Sequence, residues 1–173
     1  MAANLPKSSS FEEKPTIVVV QGSFQTPLVY EALEEGLQAQ GYPKIHPILP
    51  SCSNINSPTF PSITLLDDAI AVRREVSDLI EENKTVVLVM HSYGGLVGSE
   101  AVPEELSYSH RQSRNLKGGV IYLFMFSAFL VEEGKSVLDS FGVSPNDDIK
   151  VSSFVLPIDL SSLTKCSPMG VIS

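Results

Sequence analysis

Cysteine is scarce in this chain. Cys52 and Cys166 are the two in its 173 residues. Two cysteines this far apart fit no metal-ligand spacing and no disulfide framework, so a zinc site and a stapled secreted domain are both excluded, and a reduced compartment is the simplest reading. Basic residues are also in short supply, with 12 Lys and Arg against 20 Asp and Glu and a net charge of −8. Such a balance disfavours nucleic acid and anionic membrane as partners. Basic pairs such as Arg73-Arg74 are balanced by nearby Glu and Asp. Long apolar runs are missing too. The longest, Gly119 to Val131, is too short to span a bilayer as a helix. Met1 to Pro15 is polar and has no secretory-signal core. These absences predict a cytoplasmic protein with no membrane partner.

The histidines are His46, His91 and His110, and none follows residue 110. This gap bears on the chemistry below. The length suits one domain with a core of its own.

The chain alternates strand and helix signals. Thr16 to Gln21 is a continuous β-branched run, as in a strand covered on both faces. Gly22-Ser23-Phe24-Gln25 reads as a loop, and Thr26 and Pro27 as the cap and first position of a helix. Val29, Leu33 and Leu37 give that helix one apolar face, and Gly41 stops it. Lys44 to Leu49 predicts a second strand, placed at the outside of the sheet by Pro47. A Ser, Asn and Pro-rich loop runs from 50 to 61. Thr64 with Asp67 marks a helix start, and Ala69, Val72, Val76, Leu79 and Ile80 its buried stripe. The pair Asp67-Asp68 at that start reads as dipole partners rather than as metal or acid-base chemistry. A strand at 86–90 and a helix at about 95–102 follow, with Pro103 closing the helix. Residues 104–117 read as polar and exposed, and Gly118 to Phe126 as a fourth strand. The order predicts an α/β fold with a parallel sheet.

Three segments are expected: a solvated, flexible tail at 1–15, a domain at 16–150, and an atypical tail at 151–173. The last has two charged residues, Asp159 and Lys165, and six serines, whereas the first 150 residues carry the other 30 charges. Two readings stand for it. One is an ordinary apolar C-terminal segment. The other is sequence foreign to the domain, such as an intron read through in frame at Val151-Ser152.

The strongest chemical signal is Met90-His91-Ser92-Tyr93-Gly94-Gly95, placed between strand and helix. It has the layout of a nucleophile elbow, Gly-x-Ser-x-Gly, with Met90 replacing the first glycine. Ser92 is therefore the candidate nucleophile. Acyl transfer builds negative charge on a carbonyl oxygen, which fixed N–H groups must meet. The candidate oxyanion donors are the amides of Tyr93, at a helix N-terminus, and of Ser23, after Gly22, with Phe24 as the rival. The base is not evident. His91 adjoins Ser92 but points away from it at a sharp turn and reads as a packing residue. His46 reads as structural and His110 as solvated. Asp139, Asp147 and Asp148 follow the fourth strand and could be triad acids only by luck. Gly94-Gly95-Leu96-Val97-Gly98 fails as a dinucleotide fingerprint because Tyr93 fills the first glycine position, and no phosphate loop is present.

The segments Val18-Val19-Val20-Gln21-Gly22-Ser23-Phe24, Leu49-Pro50-Ser51, Asp67-Asp68, Val87 through Gly95, and Gly118-Gly119-Val120 through Phe129 together resemble the α/β-hydrolase superfamily. The similarity is greatest to small fungal members that resemble plant methylesterases and hydroxynitrile lyases, and it covers roughly residues 16–150. The resemblance implies a partial α/β-hydrolase fold: a mostly parallel sheet flanked by helices, with the last strands missing. It also implies Ser92 as nucleophile, with an acid and a histidine beyond two further strands. Gln21 stands where a histidine often precedes the oxyanion-loop glycine. A chain that ends before those strands holds half a catalytic site and exposes Val120 to Phe126 as an apolar edge, with Phe154 to Leu160 as candidate cover. Two functions follow as expectations. One is a cofactor-free, metal-free serine esterase for a small ester or acyl compound, with a lyase on the same site as a variant. The other is a truncated, non-catalytic relative.

Overall fold

The computed structural model describes residues 13–142. The chain divides after Gly134 into two units, taken here one at a time. The larger is a four-stranded sheet with helices on both faces. Its strands are β1 (Thr16–Val20), β2 (Lys44–Ile45), β3 (Thr85–Ser92) and β4 (Gly119–Ala128), in the order β2-β1-β3-β4. All neighbours are parallel, with Val18 opposite Leu88 and Leu88 opposite Leu123. Helices α1 (Glu31–Ala39), α2 (Leu65–Glu81), α3 (Gly94–Ala101) and α4 (Tyr108–Ser113) connect them.

The continuous apolar run of β1 is buried at every position, as a strand inside a two-faced sheet must be. The faces are covered unequally. On one, Val18, Val20, Val86, Leu88 and Met90 pack against Ala69, Val72, Val76 and Ile80 of α2 and Val97 and Ala101 of α3. Full burial of side chains of this size stabilises by about 1.5–3 kcal/mol each. On the other, Ile17, Val19 and Tyr30 are buried, and Leu37, Val87, Val89 and Phe126 are only partly covered.

Turn chemistry sets the helix ends. Thr64 and Asp67 form a reciprocal capping box at the start of α2. Gly41, at φ +76°, ends α1 with bonds from its amide to Gln38 O (2.8 Å) and from Tyr42 N to Leu37 O (3.0 Å). That is a Schellman ending, and Asn83 closes α2 in the same way.

Several local expectations need correction. The first helix begins as a 3₁₀ turn at Pro27–Tyr30, and Thr26 supplies no side-chain cap. Of its expected apolar face only Leu37 packs inward, while Val29 is 61% exposed. The strand expected over 44–49 stops at Ile45, because Pro47 has no N–H to donate to a ladder. It does lie at the edge of the sheet. Residues 104–117 are largely exposed, as expected, and they also contain a 3₁₀ turn and α4, with Ser107 accepting from the His110 amide at 3.3 Å.

β4 is the other edge. Tyr122 and Phe124 are 70% and 57% exposed, so the apolar edge expected there is present among the described residues. An isolated bridge from Ser107 covers it at Val120. In the second unit the described part is α5 (Val137–Phe141), opened by a capping box between Ser136 and Asp139. Asp147, Asp148 and the 151–173 segment lie outside the described residues, as do residues 1–12.

Candidate active site

The sheet order places the site. Chain leaving β1 goes to β2 on one side, and chain leaving β3 goes to β4 on the other, so their C-terminal ends bound a crevice at a topological switch point. Ser92 ends β3 there with φ +52°, a left-handed conformation that L-residues avoid and that lifts a side chain out of the sheet. Its carbonyl accepts from Phe129 N at 2.9 Å, which holds the turn to the end of β4. Its hydroxyl has no hydrogen-bond partner among the described residues.

The glycines behind Ser92 are there for room. A Cβ on Gly94 would lie 2.2 Å from the Val20 carbonyl oxygen, and one on Gly95 would lie 2.3 Å from that of Phe129. Helix α3 thus rests directly on the strand ends. Met90, two residues before Ser92, is fully buried, and its sulfur sits where a Cβ on Gly98 would fall, at 2.2 Å. Gly98 supplies the space that the missing first glycine would have given.

The loop after β1 meets the elbow. A Cβ on Gly22 would be 3.0 Å from Ser92 Cβ. The Gly22 amide donates to Tyr30 Oη (2.9 Å) and to Gln25 Oε1 (3.1 Å). Gln21 is buried, donates to the Gln25 carbonyl and bonds His46 Nε2 at 2.9 Å. Ser23 and Phe24 are exposed, and Phe24 has φ +59°. Among the described residues no turn, loop or cap bond uses the amide of Ser23 or of Tyr93. Gly22 thus sets the loop that carries Ser23 beside Ser92, though residues 22 and 92 are far apart in sequence.

None of the histidines bonds the Ser92 hydroxyl. His91 faces the other side of the sheet, 2.9 Å from Tyr30 Oη and stacked on Phe126 at 5.0 Å between centroids. His46 bridges Glu34 (2.7 Å) and Gln21. Burial pushes the Glu34 carboxyl up, but the bonds from Lys44 and His46 outweigh it and hold the group below its ordinary value. His110 is not solvated as expected. Its Nε2 is buried, without a partner among the described residues, and its Nδ1 is 3.9 Å from Glu104. Asp139 serves as the capping partner of Ser136, whose bonds hold it below the usual carboxylate range. Among the described residues no cluster of His, Cys, Asp and Glu is arranged to hold a metal ion.

Sequence reasoning passed over one residue of the site. Asp68 does lie in the first turn of α2, as a dipole partner would, but it does more than that. It is fully buried and accepts from Ser51 N (2.9 Å), Ser51 Oγ (2.5 Å) and Tyr93 Oη (2.9 Å). Burial and the bond to Asp68 push the Tyr93 phenol above its ordinary value. A signal existed: Asp68 stands four residues before Val72 on the buried stripe, where a carboxylate is out of place.

A parallel sheet, a strained serine between strand and helix, and a glycine loop beside it define the α/β-hydrolase architecture. Residues 17–157 match the model of the alpha/beta hydrolase family, and the chain belongs to that family. It is similar to the Phoma sp. protein named "Probable hydrolase R7", with 30% identity over 129 residues, covering 75% of this chain and 48% of that protein. It is likewise similar to the Aspergillus novofumigatus protein named "Alpha/beta hydrolase nvfD", at 32% over 124 residues, covering 72% of this chain and 47% of that protein. The chain thus spans about half the length of these relatives. Among the described residues no helix is long and apolar enough to cross a membrane.

Proposed function

We propose that the site is that of a serine esterase for a small ester or acyl compound, working in the cytoplasm without a cofactor. The observation that carries this is Ser92 at φ +52°, its hydroxyl without a partner among the described residues, beside the Gly22 loop and at the head of α3. In this reading Ser92 Oγ attacks the carbonyl carbon. The Tyr93 and Ser23 amides receive the oxyanion, aided by the helix N-terminus. A histidine must take the hydroxyl proton, because a serine hydroxyl is a poor nucleophile at its free pKa. That base is not among the described residues, and neither is the acid that would orient it. A lyase on the same site is a variant of this reading, since fold does not fix reaction.

One observation favours a second reading, a non-catalytic member that binds a ligand or partner: each described histidine is engaged away from Ser92. Labelling the protein in its native extract with a serine-reactive phosphonate, and reading the mass of the labelled protein against 18.7 kDa, separates the two. The esterase reading expects label on Ser92, none on Ser92→Ala, and an unchanged unfolding curve for that variant. A folded chain that takes no label puts the binding reading in front.

A further inference from the structure

Asp68 is a buried carboxylate that the proposed chemistry does not use. Removing a charge from water costs several kcal/mol unless it is paired and hydrogen-bonded. None of the ion pairs among the described residues includes Asp68. Its partners are three neutral donors, two from Ser51 and one from Tyr93. The next stripe positions on α2 are Val72, Val76 and Ile80, all fully buried, so an aliphatic residue would suit packing at this point. What the carboxylate adds is a tie between three segments: the start of α2, the Pro50–Cys52 turn and the elbow.

The tie ends on the residue whose amide the esterase reading assigns to the oxyanion. Tyr93 follows a strained φ, and its side chain has two torsions. Holding its hydroxyl 2.9 Å from a buried carboxylate restrains the torsions that aim its backbone N–H. We infer that Asp68 is a positioning residue, acting through the Tyr93 hydroxyl to hold the Tyr93 amide toward the oxyanion. The inference rests on the reading of Ser92 and Tyr93 as an acyl-transfer site.

The test uses the full chain with Tyr93→Phe, Asp68→Asn, the double variant and Ser51→Ala. Two readouts are taken, the rate of Ser92 phosphonylation and hydrogen exchange at the residue 93 amide. Deleting an oxyanion donor outright costs about 10²–10³-fold, and loosening one should cost roughly tenfold. Tyr93→Phe and Asp68→Asn are each expected to slow labelling about tenfold. The double variant should be no slower than either, because both remove the same link. Exchange at residue 93 should quicken in all three, while Val18 stays protected. Ser51→Ala keeps the Tyr93–Asp68 bond but removes a hydroxyl that touches both groups, and should slow labelling less than Tyr93→Phe does. If Asp68→Asn does not fold, Tyr93→Phe and Ser51→Ala decide. Wild-type labelling and exchange in Tyr93→Phe overturn the inference, as do single effects that multiply to about a hundredfold. A wild-type chain that takes no label, with quickened exchange in Tyr93→Phe, overturns the Ser92 reading and leaves the anchor standing. No label and unchanged exchange overturn both.

Discussion

Helix α3 lies so close to the strands that three glycine-to-alanine substitutions should give a graded stability series. At Gly94 the added Cβ would sit 2.2 Å from Val20 O and 2.7 Å from Gln21 O. Ordinary contact begins near 3.4 Å, so α3 would have to lift by about 1 Å. The obstacle is backbone in the middle of a sheet and cannot rotate away. Lifting α3 also loosens Val97 and Ala101 in the core. Overpacking typically costs 1–3 kcal/mol and more where nothing yields, so a loss of about 3 kcal/mol is expected. At Gly98 the obstacle is Met90 Sδ, the far part of a flexible side chain. Its rearrangement costs about 1–2 kcal/mol, offset by about 1 kcal/mol of helix propensity, and the net loss should stay under about 1 kcal/mol. At Gly36, inside α1, nothing lies within 4 Å, and alanine should stabilise by about 0.5–1 kcal/mol. Urea unfolding of the three variants at one pH measures all of this. Gly94→Ala within 1 kcal/mol of wild type, or Gly98→Ala less stable than Gly94→Ala, would refute the packing argument.

Other expectations concern pH and the open edge. Glu34 is held below its ordinary value in the folded chain, so it binds its proton more weakly there than when unfolded, and acid favours unfolding. Its contribution is whole above about pH 4.5 and is lost as pH falls through the folded value. Glu34→Gln should therefore flatten the acid limb of a stability-against-pH profile, and an acid limb as steep as wild type would exclude Glu34 as a source. Phe124, 57% exposed on an edge strand without a charge, invites pairing with other chains. Phe124→Lys should raise the concentration at which light scattering first detects association, and an unchanged onset would place the association elsewhere.

The uncovered face has a sequence counterpart that could be read only halfway. Val29, Leu33 and Leu37 do fall at helical spacing, and Leu37 packs inward as expected. Whether a stripe is buried depends on what crosses it, however, and among the described residues nothing covers Val29. A groove of about 390 Å³ lies there instead, with Leu33, Val89, His91, Phe124 and Phe126 in its wall. β2 failed for a related reason. Two residues pair and then Pro47 intervenes, so an apolar run of strand length never became a ladder.

Sequence by itself determined whatever local physics controls. The β-branched run of β1, the stripe of α2, the capping box at Thr64 and the tight turn at Ser92 each rest on residues within a few positions of one another. Their spacing sets strand, helix, cap and turn without help from the rest of the chain. Tertiary structure decided what depends on distant residues meeting. It set Gly22 against Ser92, filled the room left by Gly98 with Met90, and turned His91 onto Phe126. It also sank Asp68 beneath Tyr93. These outcomes follow from the order in which the strands pair, and neither spacing nor composition encodes that order.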